Sequence, residues 1–295
     1  GKDDKGFRLH IVKAIWGQKD YKFLPEFLDL LAENYGTGLR VLDFIKETEP
    51  SRITINKWVS DQTEERIKDL IPQGAINELT RLVLTNAIYF NAAWQYPFDK
   101  QATANGDFYL PGGSNITVPM MRKTASFGYA EGNGYQAIEL PYDGRELSMV
   151  ILLPEQGSFD SFEALLSSQK ARNIIQEIKY RQVALSMPKF KYESSFGLKK
   201  ALSSLGMAAA FTPDADFSGM NGKRDLFVHD VLHKAFVSVD EAGTEAAAAT
   251  AVIVGTTSMP AEPIEVKIDR PFIFLIRDVE TGTVLFIGRV LNPGL

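Results

Sequence analysis

The sequence has no cysteine and only three histidines among its 295 residues. The absence of cysteine excludes a disulfide framework, a thiol nucleophile and thiolate metal ligands, and it leaves the redox compartment open. No apolar run reaches the roughly 18 residues that span a bilayer, so no membrane partner is expected. The net charge of −5 provides no broad basic field for nucleic acid. What is present is 45% hydrophobic residues, enough for one large domain or two small ones.

Short predicted strands outnumber helices along the chain. The two are mixed without a regular β-α-β alternation, which predicts an α+β fold. The clearest helix is expected over residues 51–71, because its apolar side chains lie mainly on one face. Long strands are expected over residues 82–90, 183–192 and 225–240.

Two short motifs resemble catalytic or cofactor sites, and neither fits its structural requirement. His229 and His233 have the spacing of two zinc ligands on a helix, but the residues around them alternate as in a strand. Four residues of a strand span about 13 Å, too far for one metal. Residues 132–137 match a dinucleotide fingerprint, yet no helix follows, which favours a turn. The third histidine, His10, has no evident partner. The sequence therefore predicts no enzyme, no metal site and no cofactor.

The segment 240–260 is unusual because it can form either a loop or a strand. The four alanines 246–249 favour a helix. The β-branched residues that follow favour a strand, and an exposed turn is expected from Gly255 onward. Two interpretations are open: a flexible linker between two strands, or a segment held outside a sheet so that it can later become a strand.

Several separate stretches, in order from about residue 7 to the C terminus, resemble the serpins, the serine protease inhibitor family. They are residues 55–59 with 63, 85–90 with 94 and 97–98, 118–121, 141–142, 152–154, 215–219, 233–235, 240–247, 270–272 and 288–293. The resemblance implies one serpin domain over 1–295. It also implies a large, mostly antiparallel main sheet A, further sheets B and C, packed helices and an exposed reactive loop, which is inserted as a strand in the relaxed form. A prokaryotic source and the inhibitory type are expected.

The resemblance makes residues 241–260 the hinge and reactive loop. In this family a protease attacks the loop and forms an acyl-enzyme. The loop then enters the main sheet as a strand and traps the enzyme. Counting seventeen residues from Glu241, as the family does, implies a reactive bond at Thr257 and Ser258, within one or two residues. Because no Arg or Lys stands nearby, the expected partner is an elastase- or subtilisin-like serine protease. The alternative is a non-inhibitory or relaxed serpin-like binding or storage protein.

The hinge must pass between two closed strands, so its inward face must be small and uncharged. With a period of two, Thr244 and every second residue to Val254 share one face, and all are small or β-branched. Glu245 falls on the opposite face. This pattern favours the inhibitory class. The hinge residues implied by the resemblance are Glu241, Gly243, Thr244, Glu245, Ala246, Ala247, Ala248 and Ala249.

Three further roles follow from the resemblance. Asn86 and His233, the shutter pair, would form a hydrogen bond across the strands that part. Trp94 would cover the top of the sheet where insertion starts. Lys189 and Glu241 would form a salt bridge beside it, and with Trp94 they make up the breach. Such a bridge is worth about 0.2–1 kcal/mol where it is exposed to solvent.

One feature departs from the family pattern. A family member has several helices and a strand of sheet B before the position of Phe7, and Lys13 stands where an asparagine is usual. That segment is expected to be a separate fragment, truncated or absent. A monomer is expected, alone or with a separate N-terminal fragment. An extracellular or cell-envelope location is favoured, and a cytoplasmic one stays open.

Overall fold

The computed structural model describes residues 7–35, 38–244 and 262–294. The described helices are α1 Pro25–Tyr35, α2 Thr48–Gln62, α3 Phe159–Ala164, α4 Ser168–Glu177, α5 Lys199–Leu202 and α6 Ser218–Asn221. The described strands are β1 Phe7–Gln18, β2 Arg40–Leu42, β3 Leu82–Ala93, β4 Ala104–Tyr109, β5 Asn115–Gly132, β6 Tyr135–Pro141, β7 Leu147–Pro154, β8 Lys179–Pro188, β9 Phe190–Gly197, β10 Leu232–Val239, β11 Gly243–Thr244, β12 Ile264–Lys267, β13 Phe272–Asp278 and β14 Val284–Val290.

The chain divides into two compact units. Of the described residues, the first unit contains 7–8, 90–192, 237–244 and 262–294, and the second contains 9–35, 38–89 and 193–236. The first unit contains an eight-stranded sheet in the order β12-β8-β5-β6-β7-β13-β14, with β4 paired to β5. All eight residues of β7 are buried, as expected of a strand covered on both faces. Phe159, Phe162 and Ile174 of α3 and α4 belong to the core cluster that covers this sheet.

A second sheet has six strands in the order β2-β1-β3-β11-β10-β9. Strands β3 and β10 are parallel, and residues 85–89 pair directly with residues 232–236. The two-residue strand β11 is antiparallel to both neighbours: Thr244 pairs with Ala92 of β3 and with Val239 of β10. These findings confirm the predicted α+β fold with several sheets.

The second unit has its own core beneath α2. Trp16 of β1 packs edge-to-face against Trp58 of α2, with ring centroids 5.4 Å apart. The Arg40 guanidinium lies over both rings, 4.6 Å from the centroid of Trp58. A guanidinium over an aromatic face is attracted by the ring quadrupole. Trp58 therefore ties α2 to β1 and β2.

The helix predicted over residues 51–71 ends at Gln62, so the second half of that prediction was wrong. The Asn56 side chain accepts a hydrogen bond from the backbone N–H of Ile71 and donates one to the carbonyl oxygen of the same residue. The apolar residues that suggested a longer helix are buried by this irregular segment. Glu64 and Glu65 both have positive φ, which a helix does not allow.

Two predicted strands also have different limits. The strand expected over 225–240 begins only at Leu232, because the preceding backbone bonds to other segments, as Val228 N–H does to the carbonyl of Ala210. His229 therefore lies outside the strand that holds His233. The strand expected over 183–192 is divided into β8 and β9. Residues 132–137 form the turn between β5 and β6 and the start of β6.

The described residues contain neither a metal-binding cluster nor a membrane-spanning helix. In the described residues, no three His, Asp or Glu side chains are grouped so that they could hold a metal ion. None of the described helices is both long enough and apolar enough to cross a membrane.

Candidate functional site

A tight turn at Asp240 leads from β10 into β11. The Asp240 carboxylate oxygen Oδ1 accepts hydrogen bonds from the backbone N–H groups of Ala242, at 2.8 Å, and Gly243, at 3.3 Å. The N–H of Asp240 donates to the carbonyl of Gly243 at 2.9 Å. An aspartate that bonds to the backbone two residues on is typical of a turn. The turn sends the chain back between β3 and β10.

Gly243 occupies a position that no other residue fits. A Cβ atom added there would lie 2.0 Å from the backbone oxygen of Ala92 and 2.7 Å from the Cα of Ala93. Both contacts are with backbone, which cannot rotate away. The missing side chain is thus what allows β11 to approach β3 closely.

Thr244, the next residue, is completely buried. Its hydroxyl shares a hydrogen bond of 2.8 Å with the hydroxyl of Tyr142, which is also fully buried. The Tyr142 ring stacks on Trp94 with centroids 4.6 Å apart and planes at 8°, and it meets Phe90 edge-on. Burial raises the pKa of Tyr142 far above its usual range, and the hydrogen bond from Thr244 offsets this only in part. Tyr142 therefore stays protonated.

Trp94 forms two hydrogen bonds with the turn at Asp240. Its backbone N–H donates to the carbonyl of Ala242 at 2.9 Å, and its indole N–H donates to the carbonyl of Asp240 at 3.0 Å. The sequence-based role for Trp94 was to cover the start of insertion, and the structure places it against the first residues of the candidate hinge. Tyr142 was not given a role, although residues 141–142 belong to the family resemblance.

Glu241 points into the protein and binds two side chains. Its carboxylate lies 2.8 Å from the Lys189 Nζ and accepts a hydrogen bond of 2.8 Å from the Thr103 hydroxyl. The Glu241 side chain is 4% exposed and that of Lys189 39%. The bridge is thus more buried than a surface pair. Burial raises the pKa of Glu241, but the bonds from Lys189 and Thr103 outweigh it, so the pKa lies below its ordinary value of 4.5. Nothing in the sequence indicated Thr103.

Replacing Glu241 with glutamine should lower the free energy of unfolding by about 1–3 kcal/mol at neutral pH, since a buried charged hydrogen bond is lost. A carboxylate whose pKa is lowered by folding stabilises the fold above its ordinary pKa, and this contribution disappears as the pH falls through the lowered value. We therefore expect the difference between wild type and variant to shrink below pH 4.5. Urea melts at neutral and acid pH measure this.

The matched control is Glu265→Gln, because Glu265 forms an exposed pair with Lys267 at 3.4 Å. This variant should unfold like the wild type at both pH values. An equal effect of both substitutions would contradict a special role for the buried carboxylate.

Asn86 and His233 lie opposite each other on β3 and β10. Asn86 Oδ1 is buried and has no hydrogen-bond partner among the described residues, so this oxygen does not accept a bond from His233. Facing residues on neighbouring strands project side by side from the sheet, so a shared register alone does not join their polar atoms. Burial lowers the pKa of His233, which keeps the imidazole neutral at pH 7.

The structure brings the predicted breach residues Trp94, Lys189 and Glu241 to the start of β11, together with Gly243 and Thr244. Other predicted site residues lie outside the described part of the chain: Glu245, Ala246, Ala247, Ala248, Ala249, Thr257 and Ser258.

A family model described as serpin (serine protease inhibitor) matches residues 1–293. The chain belongs to the serpin family. An uncharacterised serpin-like protein of Thermococcus kodakarensis is 43% identical to this serpin over 290 residues, which are 97% of this chain and 67% of the relative. Human leukocyte elastase inhibitor is 41% identical, over 97% of this chain and 78% of its own.

Mouse antithrombin-III is 39% identical over 99% of this serpin, which spans 64% of the relative's length. Among solved structures, uncleaved ovalbumin superposes with a TM-score of 0.89 and 25% identity, over 99% of this serpin and 79% of that chain. The family named from scattered sequence stretches is therefore confirmed.

Proposed function

We propose that this serpin inhibits serine proteases by a suicide-substrate mechanism in which residues 241–260 are the hinge and the bait. Two relatives carry inhibitor-type names, antithrombin-III and leukocyte elastase inhibitor, which supports this role. The protease would be elastase- or subtilisin-like, because Thr257 precedes the expected reactive bond and offers no cation to an acidic pocket. The serpin itself needs no catalytic residue or cofactor.

The chemistry is supplied by the protease. Its serine oxygen attacks the carbonyl carbon of Thr257, the bond to the nitrogen of Ser258 breaks, and that nitrogen leaves as an amine with a proton from the protease's base. An ester then joins enzyme and serpin. Water would hydrolyse this ester and release a cleaved serpin, unless the loop moves first. Inhibition thus depends on a competition between hydrolysis and strand insertion.

The register of β11 is the observation that carries the proposal. Thr244 already faces Ala92 of β3 and Val239 of β10. If the antiparallel strand continued, residue 247 would come opposite Tyr89 and Phe236, which now pair with each other. Residues 247–251 would therefore replace five direct pairs between β3 and β10. The sheet is closed at these pairs, and beyond them Gly243 and Thr244 lie beside Ala93 and Ala92 of β3.

The burial of Thr244 supports a requirement for small side chains at the hinge positions that would follow it into the sheet. Thr244 is fully buried, so the alternate residues that share its face would also enter buried positions. The sequence places only small or β-branched residues there. We further propose that the partly buried Lys189–Glu241 bridge and Trp94 stabilise the site where insertion begins. We also propose that Asn86 and His233 mark a row of the sheet that parts.

A denaturing gel after mixing with an elastase- or subtilisin-type protease tests the function. We expect a band at the summed mass of serpin and protease that survives boiling, because an ester joins the two chains. Mass spectrometry of the released C-terminal peptide should place the cut at or within two residues of the bond after Thr257. A protease with its active-site serine blocked is the control and should give no band. Clean cleavage of the loop without the band would overturn the inhibitor proposal.

The second candidate is a non-inhibitory serpin-like binding or storage protein, in keeping with the similarity to uncleaved ovalbumin. Thermal melts before and after loop cleavage separate the two. An inhibitory serpin gains a central strand after cleavage and should melt at a clearly higher temperature. An unchanged melting temperature together with clean cleavage would favour the second candidate.

A further inference from the structure

The hydroxyl groups of Tyr142 and Thr244 form a buried contact that the mechanism above does not use. Tyr142 follows β6, and its ring is fixed on one face by Trp94, stacked at 4.6 Å, and at its edge by Phe90, at 5.1 Å. The ring is fully buried, so its hydroxyl has no access to solvent and needs a partner inside the protein. Its partner is the Thr244 hydroxyl, 2.8 Å away.

The described part of β11 makes few backbone pairs with its neighbours. Within the described residues, Gly243 and Thr244 pair with β3, and Thr244 pairs with β10. The side-chain contact with Tyr142 therefore adds to the interactions that hold Thr244 in place. Both hydroxyls are buried, and a buried hydroxyl without a partner is costly, so each stabilises the other's position.

A strand that enters a sheet must also enter in the correct register. Because side chains alternate between the two faces, a slip by one residue exchanges the faces along the whole strand. Such a slip would place Glu245 where Thr244 is now fully buried, and the small residues would face the wrong side. A contact that fixes Thr244 before insertion excludes this slip.

We propose that Tyr142 is a positioning residue that sets the register of loop insertion: its hydroxyl fixes Thr244 between β3 and β10 before the loop is cleaved. The inference rests on the proposed inhibitory function, since register matters to inhibition only if the loop inserts. Tyr142 does not touch the protease or the reactive bond. It acts through Thr244, and it speeds correct insertion relative to hydrolysis of the acyl-enzyme.

The test is Tyr142→Phe, which removes the hydroxyl and keeps the stacked ring. Hydrogen exchange of residues 240–244 measures β11 directly, without any protease. We expect exchange at Thr244 to become about fivefold faster, as for the loss of one net hydrogen bond. With a protease that the wild type traps, the number of serpin molecules used per protease inhibited should rise by a similar factor. The rate of loop cleavage should stay the same.

Two further variants make the test specific. Thr244→Val removes the other hydroxyl, on β11, and leaves Tyr142 and the aromatic rings around it unchanged. If the two groups act through their shared bond, the double variant should behave like either single variant. Tyr129→Phe is the matched control, because the Tyr129 hydroxyl bonds to Glu131 at 2.7 Å instead. It should leave exchange at residues 240–244 unchanged.

Unchanged exchange at Thr244 in Tyr142→Phe would overturn the inference whether or not the protein inhibits a protease. Additive effects in the double variant would do the same, because they would show that Tyr142 acts only through the core. Failure of the proposed inhibitory function would be seen separately. In that case the wild-type protein would form no covalent complex with the protease, although the amides of β11 would still be protected from hydrogen exchange.

Discussion

Replacing Thr244 with arginine should turn this serpin from an inhibitor into a substrate. Thr244 is completely buried between β3 and β10, so an arginine there would bring an unpaired charge into the sheet. The effective penalty for burying such an ion is several kcal/mol. Insertion would have to begin with that step, while hydrolysis of the acyl-enzyme would be unaffected. We expect the covalent complex to disappear and the loop to be cleaved at the wild-type rate.

The matched control is Glu245→Arg, a charge on the neighbouring residue. In an inserted strand, residue 245 would face away from the position of Thr244. Its substitution should leave complex formation within about twofold of wild type, as expected for an exposed change. Thr244→Ser, which keeps a small hydroxyl, should also form the complex. Wild-type amounts of complex from Thr244→Arg would contradict insertion along the register of β11.

The second large effect concerns stability. Glu139→Gln should lower the free energy of unfolding by about 3–5 kcal/mol, measured by urea denaturation, because it breaks a buried ion pair and leaves one charge unpaired. Glu139 Oε1 accepts hydrogen bonds from Arg277, at 2.7 Å and 3.2 Å, and from Ser148, at 2.7 Å. The side chains of Glu139 and Arg277 are only 10% and 12% exposed. The low exposure of Arg277 leaves its guanidinium little access to solvent once the carboxylate is gone.

A second ion pair in the same unit provides the control. Glu163 and Arg289 lie 2.8 Å apart, as close as the buried pair, but their side chains are 36% and 54% exposed. Glu163→Gln should therefore cost no more than about 1 kcal/mol. Replacing both buried partners, as Glu139→Leu with Arg277→Met, should recover much of the loss, because no charge remains inside. Equal effects of the two single substitutions would show that burial of the pair is not what matters.

The sequence predicted the fold class and the family well because many short stretches agree in order along the chain. It predicted the limits of elements less well. The apolar spacing that continues past Gln62 reflects burial, and burial does not require a helix. The Asn56 bonds to Ile71 fold that segment back. These hydrogen bonds join residues fifteen positions apart, and no local sequence pattern predicts them.

The candidate site, like the fold, could be predicted from the sequence only in part. Trp94, Lys189 and Glu241 could be named by position in the family, and they meet at β11. Tyr142 and Thr103 gain their roles only from the way distant segments come together: the hydroxyl of Tyr142 reaches a residue 102 positions away. Conversely, Asn86 and His233 were placed correctly as neighbours, but the expected bond between them depends on side-chain orientation, which register does not determine.

The unpaired oxygen of Asn86 gives the closed sheet a point of local frustration. Most contacts in a native protein support one another. A conflict that persists indicates a position where the identity of the residue is not determined by folding stability alone. A buried acceptor without a partner among the described residues costs about 1–3 kcal/mol, and here it lies in the row where β3 and β10 pair directly. Apolar side chains could fill that row more favourably. The closed sheet therefore keeps an unfavourable polar group in this row. A strand that separated β3 from β10 here would have to replace their backbone pairing, but it would break no hydrogen bond of Asn86 Oδ1.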